Sequence, residues 1–207
     1  MRLLCACCEE DEAVAVDRHD GQLVCEDCGK ALQRELGASI DWTPLPKPDK
    51  VTLAILQNQW GHTATPEKVA RLKDWKPEIF AGYVGMCLRG GCQTYQRIIK
   101  AFGEEAFRTI VWTNASREAG TTSSCKFDAD LQHLDETLRH FKPDVVIVFG
   151  KVAEEGLAKW RGSLEYTESV ASLAFVEIKS PHPASRFPDV HQQLRDVAAR
   201  WREVTSG

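Results

Sequence analysis

The sequence predicts an α/β fold, a three-layer α/β/α sandwich around a four-stranded, mostly parallel sheet, with a small cysteine-rich module before it. Two observations carry this prediction. Short apolar runs of strand length alternate along residues 51–207 with segments whose apolar residues recur at helical spacing. Strands separated by helices pair in parallel through right-handed crossovers. In the first 28 residues, two Cys-x2-Cys pairs have the spacing of metal ligands.

The overall composition is that of a globular protein. The chain has 207 residues, a net charge of -4, 43% hydrophobic and 27% charged residues, which excludes a mainly disordered or fibrous protein. No apolar run approaches the 18 or more residues of a membrane-spanning helix, so no membrane partner is expected. The N-terminus lacks the apolar stretch of a signal peptide, and we expect a cytoplasmic protein.

The cysteine-rich module is predicted to span residues 1–38. Cys5 and Cys8 form one knuckle, Cys25 and Cys28 form a second, and 16 residues separate them, an arrangement that resembles a zinc ribbon. Cys7 could compete with Cys8 as a partner of Cys5, but the two-residue spacer matches the second knuckle. The alternative is four unrelated structural cysteines. A module of this size has too small a core to fold alone, so a structural zinc ion would supply stability.

A proline-rich segment, residues 39–50, is predicted to link the module to the main domain, residues 51–207. Pro44, Pro46 and Pro48 favour an extended chain. Residues 1–50 carry a charge balance of -5 and the remainder +1. The acidic module therefore suits a protein partner, and any DNA contact must come from a local patch of the main domain.

The elements of the main domain follow from apolar spacing and from residues that begin or end helices. Thr65-Pro66-Glu67 is typical of a helix start, and Gly103 is typical of a helix end. The predicted strands are Val51–Leu56, Phe107–Trp112, Asp144–Phe149 and Leu173–Ile178. The predicted helices are residues 65–75, Thr94–Phe102, Asp130–Phe141, Val152–Trp160 and Val190–Val204.

Polar residues follow each predicted strand, and the carboxyl ends of parallel strands meet at one edge of the sheet. These segments are residues 57–62 (QNQWGH), 113–116 (TNAS), Gly150-Lys151 and residues 180–186 (SPHPASR). Amide, imidazole and guanidinium groups are therefore expected to converge there.

These four segments, in this order, resemble the uracil-DNA glycosylase superfamily. The strongest likeness lies in residues 142–153 (KPDVVIVFGKVA) and in the loop from His182 to Arg186; the motif at Gln57-Asn58 is a weaker match. The resemblance covers about residues 51–204. It implies an enzyme that flips a base out of DNA and cleaves its bond to the sugar.

The resemblance also implies roles for individual residues. Asn58 would hold the attacking water, and His182 would hydrogen-bond the base oxygen and stabilise the leaving anion. The residues expected to bind the base are Gln57, through its backbone, Trp60, as a wall of the pocket, Asn114, through its amide, and Tyr83, at the position of a stacking ring.

Contacts with DNA are expected from two segments. Arg186, with Ser185 in the same loop, would enter or hold the space that the base leaves. The long polar loop from Asn114 to Phe127 contains Arg117, which we expect to contact DNA or to gate the pocket.

The first motif departs from the family because it has no carboxylate. An amide can orient water but cannot take its proton, which implies slower chemistry. No lysine lies in the matched motifs, so the expected enzyme is a monofunctional DNA N-glycosylase acting on a uracil-like, mispaired or modified pyrimidine in duplex or single-stranded DNA. The alternatives are a catalytically silent DNA-binding protein of the same fold and a hydrolase of free nucleosides or nucleotides.

No organic cofactor is expected. Some branches of the family carry an iron–sulfur cluster on four cysteines. Cys125 lies where the last of these would be, but no cysteine occurs in residues 113–124, so a cluster is less favoured than zinc.

Overall fold

The computed structural model describes residues 5, 7–8, 15–17, 23–42, 50–57, 59–60, 75–89, 92–117, 119–120 and 128–206. The described strands are β1 Ala15–Asp17, β2 Leu23–Val24, β3 Ile40–Asp41, β4 Thr52–Leu56, β5 Gln59–Trp60, β6 Ile110–Asn114, β7 Ala119–Gly120, β8 Val145–Phe149 and β9 Val176–Ser180. The described α-helices are α1 Glu26–Leu36, α2 Pro77–Arg89, α3 Gln93–Phe102, α4 Glu104–Thr109, α5 Leu131–Phe141, α6 Lys151–Gly162, α7 Thr167–Ser172 and α8 Val190–Thr205, and a 3-10 turn covers Leu164–Tyr166.

The main sheet has the strand order β6-β4-β8-β9, and all of its pairs are parallel. The predicted α/β fold with a four-stranded parallel sheet is confirmed. β8 reads Val-Val-Ile-Val-Phe and is buried along its whole length, as β-branched residues in a strand covered on both faces should be.

Helices cover both faces of this sheet and complete the three layers. On one face, Leu56, Trp112 and Phe149 pack against α2, α3, α4 and α8. On the other face, Ile55 and Val148 pack against α5 and α6. Neighbouring residues of each strand point to opposite faces, so one strand contributes to both cores.

Long-range hydrogen bonds tie the end of the chain to the start of the sheet. The indole Nε1 of Trp201 donates to Oγ1 of Thr52 at 2.9 Å, and Lys50 Nζ donates to the carbonyl of Val204 at 2.7 Å. Helix α8 therefore fixes the beginning of β4, the strand that leads directly into the first polar motif.

Two predicted strands are displaced in the structure. The apolar run from Phe107 was predicted as strand, but Phe107 lies on α4, and β6 begins only at Ile110. Phe107 is buried as a helical residue, so its apolar character did not distinguish the end of a helix from the start of a strand. The last strand covers Val176–Ser180 instead of 173–178, because Val145 of β8 pairs with Val176.

Helix α2 was not predicted, although Pro77 occupies its first position, where proline is favoured. The helix predicted over residues 65–75 lies outside the described residues apart from Trp75. Helices α3, α5, α6 and α8 agree with their predictions to within two residues.

The cysteine-rich module contains an antiparallel sheet in the order β2-β1-β3, and helix α1 packs against β1. β3 lies at Ile40–Asp41, so the first residues of the segment predicted as linker pair with β1. Asp41 also approaches Arg108 of α4 at 3.5 Å, which brings the module into contact with the main domain. Among the described residues, no helix combines the length and the apolar character needed to cross a bilayer.

Candidate functional site

Four cysteine side chains of the module converge on a common point. The sulfur atoms of Cys5, Cys8, Cys25 and Cys28 all lie within 4.8 Å of one another, and those of Cys8 and Cys25 are 3.8 Å apart. Four thiolates around a zinc ion at about 2.3 Å have sulfurs about 3.8 Å apart. The two knuckles therefore fit a tetrahedral metal ion. This is the predicted ligand set, and the described geometry is compatible with a structural metal.

The main site lies at the carboxyl edge of the parallel sheet. Leu56 pairs in register with Asn114, and Phe149 pairs with Ser180, so the residues that follow all four strands leave the sheet at one level. Backbone hydrogen bonds join the first two loops, because Ala115 N donates to Leu56 O at 2.7 Å and Ser116 N to Gln57 O at 3.2 Å. The structure thus places the backbone of Gln57 beside the residues that follow Asn114.

A second parallel bridge continues this contact beyond the main sheet. Gln59 pairs with Ala119 and Trp60 with Gly120, forming the short strands β5 and β7. The backbone of Trp60 therefore runs beside the long loop that follows Asn114. Asn58 lies outside the described residues, as do the side chain of Trp60 and residues 121–127 of the loop.

Asn114 is only 1% exposed, and a buried histidine lies behind it. Nε2 of His133 is 3.1 Å from Oγ1 of Thr113, the residue before Asn114, and its Nδ1 is 3.4 Å from Oγ1 of Thr137. Burial, reinforced by the charge of Arg117, lowers the pKa of His133 to about 4, so this ring is neutral near pH 7. A neutral ring with two hydroxyl partners supports the end of β6 without placing a charge there.

Arg117 lies inside the domain, at 8% exposure. Its Nε donates to Asp130 at 2.9 Å, and Asp130 also caps α5 by accepting from His133 N. Although burial opposes ionisation, these hydrogen bonds hold the pKa of Asp130 below its usual range. Arg117 was predicted to contact DNA or to gate the pocket, and both roles stay predictions. Its internal ion pair with Asp130 favours a role in fixing the loop after Asn114.

His182 lies in a tight turn that follows β9. Ser185 N donates to the carbonyl of His182 at 2.8 Å, and Ala184 N donates to Nδ1 of the His182 ring at 3.1 Å. Since Nδ1 accepts this bond, the proton of the neutral ring resides on Nε2. Burial lowers the pKa of His182 to about 4, so the ring is a neutral Nε2–H donor near pH 7.

Gly150 gives His182 its space. Its φ is +85°, and a Cβ placed on it would lie 2.9 Å from the Cβ of His182. Gly150 N also donates to Ser180 O at 2.8 Å, which joins the loop after β8 to the end of β9. A residue with a side chain at position 150 would both strain the backbone and push the histidine aside.

A groove with a volume of about 1060 Å³ opens beside this turn, and His182, Ser185 and Phe187 line it. Arg186 is exposed, and Phe187 is 66% exposed, which is unusual for a large apolar residue. Among the described residues, neither Gln57 nor Asn114 lines the groove. The described turn therefore offers a charged and an aromatic side chain to solvent.

Tyr83 lies on α2, partly buried against the core. Its ring meets that of Trp75 edge to face, with centroids 5.2 Å apart. Burial, with a smaller effect of Cys87, raises its pKa, so the phenol is neutral. The described contacts of Tyr83 are with Trp75, Cys87 and the core, and none of them brings it to His182.

Sequence reasoning missed two residues that support the site, His133 and Arg97. Arg97 of α3 donates to the carbonyls of Pro183 and Ser185 in the His182 turn. Both residues act across long separations in the chain, and no local motif marks them.

Comparison with known proteins gives one result for this domain. A model described as the uracil DNA glycosylase superfamily matches residues 69–205. No curated protein was found to match the chain. The matched segment begins after Gln57 and Asn58 and includes Asn114, β8, Gly150 and the His182 turn. Since the match covers well over half of the sequence and the fold agrees with it, this chain belongs to the uracil DNA glycosylase superfamily.

Proposed function

We propose that this protein is a monofunctional DNA glycosylase that flips a uracil-like, mispaired or modified pyrimidine out of DNA and hydrolyses its bond to deoxyribose. The observation that carries the proposal is the state of His182. Its ring is neutral, its Nδ1 accepts from Ala184, and its Nε2–H is left as a donor at the sheet edge that also carries Asn114.

The chemistry of base release needs such a donor. As the glycosidic bond breaks, positive charge develops on the sugar and negative charge on the base oxygen. A fixed donor aimed at the developing anion stabilises the transition state by roughly 3–4 kcal/mol in comparable sites. A neutral imidazole provides this without carrying a positive charge that would have to be desolvated in the ground state.

The width of the sheet edge supports a pocket for one base. Asn114 ends β6 and His182 follows β9, and the order β6-β4-β8-β9 separates them by three strand spacings, about 14 Å. Side chains of Asn114 and His182 that reached inward from this distance would leave room for a single flat ring. We propose that the Asn114 amide reads the hydrogen-bonding edge of the base while Gln57 contacts it through the backbone.

The water would be held by Asn58, which follows Gln57 directly. An amide orients water by accepting one of its protons in a hydrogen bond but does not deprotonate it. The reaction would therefore depend on departure of the base, with water captured by the oxocarbenium-like sugar. This favours substrates whose bases leave readily, such as those already weakly paired.

On the DNA side we propose that Arg186 and Ser185 contact the strand where the base has left. Phe187 lies beside them, and its exposed ring would stack on a neighbouring base. The four module cysteines would hold zinc, whose role is structural: when bound, it would crosslink the two knuckles. The acidic surface of the module suits a protein partner better than DNA.

The test is release of a base from defined oligonucleotides. Duplex and single strands would carry one uracil, a G·U or G·T mispair, or a hydroxymethylated or glucosylated pyrimidine, and alkali cleavage would report abasic sites. We expect release that falls by about 10²–10³-fold in His182→Ala and strongly in Asn58→Ala. His191→Ala, which changes a histidine on α8, is the matched control and should retain activity.

The other outcomes identify the alternatives. DNA binding without release from any of these substrates, unaffected by His182→Ala, would indicate a silent DNA-binding protein, which the absence of a carboxylate in the first motif motivates. Release from free nucleosides but not from polymers would indicate a nucleoside hydrolase.

A further inference from the structure

Arg97 binds the turn that carries His182 from a different part of the fold. It lies on α3, and its Nη1 donates to the carbonyl of Pro183 at 2.6 Å and to that of Ser185 at 2.7 Å. The side chain is partly buried. Within the described part of the chain, no carboxylate pairs with Arg97. Its charge is therefore directed at the turn.

One of these two carbonyls belongs to the peptide unit that controls the histidine. The carbonyl of Pro183 and the N–H of Ala184 are the two ends of a single planar, trans peptide group. That N–H donates to Nδ1 of His182 at 3.1 Å. Since the group is rigid, a guanidinium fixed on its oxygen also fixes the direction of its hydrogen.

The charge of Arg97 also strengthens the hydrogen bond from Ala184 N–H to Nδ1 of His182 by polarising the peptide. A cationic donor on a carbonyl oxygen withdraws electron density from the peptide and makes its N–H a stronger donor. A stronger bond from Ala184 to Nδ1 favours the ring form that keeps Nδ1 unprotonated. The second bond, to Ser185, holds the far side of the turn and prevents the peptide from rotating.

We propose that Arg97 is a positioning residue that sets the orientation and the tautomer of His182 through the peptide between Pro183 and Ala184. The chain of contacts runs from guanidinium to carbonyl oxygen, through the peptide to N–H, and on to Nδ1, and it leaves Nε2–H as the donor. The catalytic consequence rests on the function proposed above, whereas the effect on the ring does not.

The fold provides a matched control in Arg202. This arginine of α8 also donates to two backbone carbonyls, those of Ala101 and Phe102, at 3.2 and 3.1 Å. Its contacts lie at the end of α3 and do not involve the His182 turn. Arg97→Met and Arg202→Met thus each remove a guanidinium that donates to two backbone carbonyls, and only Arg97→Met should alter the ring.

The decisive measurement is the state of the His182 imidazole by ¹H–¹⁵N NMR on the full chain, with its signals assigned through His182→Gln. In the unmodified protein near pH 7 we expect protonated Nε2 and unprotonated Nδ1. In Arg97→Met the two nitrogen shifts should move towards each other as both tautomers become populated, and in Arg202→Met they should stay unchanged. A folded Arg97→Met protein with the original shifts overturns the proposal.

If Arg97→Met does not fold, Arg97→Gln serves instead, because it keeps a neutral donor in the interface but removes the charge. It should give a partial shift of the same sign, and shifts identical to those of the unmodified protein overturn the proposal. In single-turnover base release, we expect Arg97→Met to lower the rate constant by about 10–100-fold, with half-saturating DNA changed by less than about threefold. Absence of base release from the unmodified protein would refute the proposed function, while the NMR result would still decide the role of Arg97.

Discussion

Replacing Gly150 by alanine should displace His182 without removing it. The added Cβ would lie 2.9 Å from the Cβ of His182, while ordinary carbon contacts lie at about 3.5–4.0 Å, so one of the two must move by roughly 0.5–1 Å. Two costs follow. Alanine at φ +85° and ψ 171° is strained by about 1–3 kcal/mol, and overpacking against the histidine adds about 1–3 kcal/mol.

Gly103 allows these two costs to be separated. It precedes α4 with φ +91° and ψ 159°, close to the values at Gly150, and a Cβ there would meet nothing within 4 Å. Gly103→Ala should therefore lose only the backbone contribution, about 1–3 kcal/mol. The difference between the two variants in urea unfolding measures the contact with His182.

Activity should separate the variants further. A displacement near 1 Å of a catalytic group costs about 10²-fold, so Gly150→Ala should release base about 10²-fold more slowly, while Gly103→Ala should stay within about twofold. Single-turnover base release at a temperature where both variants are folded is the assay. Equal rates and equal stabilities in the two variants would refute the claim that Gly150 makes room for His182.

Three further predictions follow from the same structure. The pKa values of His133 and His182 are lowered to about 4, from about 6.5 in the unfolded chain, so the unfolded chain binds more protons between these values. The free energy of unfolding should therefore be unaffected by these two histidines above pH 6.5 and decline as pH falls towards 4. The acidic limb of kcat/KM should lie near pH 4, and a limb near pH 6.5 would contradict this. Purified protein should contain about one zinc ion per chain by elemental analysis, absent in Cys25→Ser and retained in Cys92→Ser, and equal content in both variants would argue against the cluster. Arg117→Met should lower the free energy of unfolding by about 1–3 kcal/mol and leave the salt dependence of DNA affinity unchanged. Arg139→Met, which removes a guanidinium that is 65% exposed, should change the free energy of unfolding by less than about 0.5 kcal/mol. A weaker salt dependence of DNA affinity in Arg117→Met would support the predicted DNA contact.

The elements that could be predicted are those whose sequence has one interpretation. β8 is a run of four β-branched residues and one phenylalanine that is followed by glycine, and α5 begins at an aspartate cap, so both were placed within one residue. The segment from Phe107 to Trp112 was predicted as one strand because both its helical and its extended parts contribute buried apolar residues. The hydrophobic pattern of this segment indicates only which residues are buried. The pairing of β6 with β4 determines which of them adopt a strand conformation.

In the candidate site too, residues marked by local sequence could be predicted, whereas residues placed by distant contacts could not. The positions of Asn114, which ends β6, and of His182, which follows β9, could be predicted because parallel strands end at a common edge of the sheet. Their roles stay predictions. Arg97 could not be predicted, since its partners lie 86 and 88 positions away, and an arginine on an amphipathic helix is ordinarily solvated. Arg117 was predicted to contact DNA or to gate the pocket because it lies in a polar loop, and its ion pair with Asp130, 13 positions later, is not marked by any local pattern.

The strand order affects how this protein folds during synthesis. β9 and α8 come last in the chain, yet β9 carries the turn with the histidine, and α8 secures β4 through contacts 149 and 154 positions apart. Such high contact order slows folding, because distant segments must meet before their contacts can compensate the lost entropy. While α8 is still inside the ribosome, the nascent chain lacks the contacts that secure β4, so the ends of β6 and β9 are not yet held at one edge of the sheet.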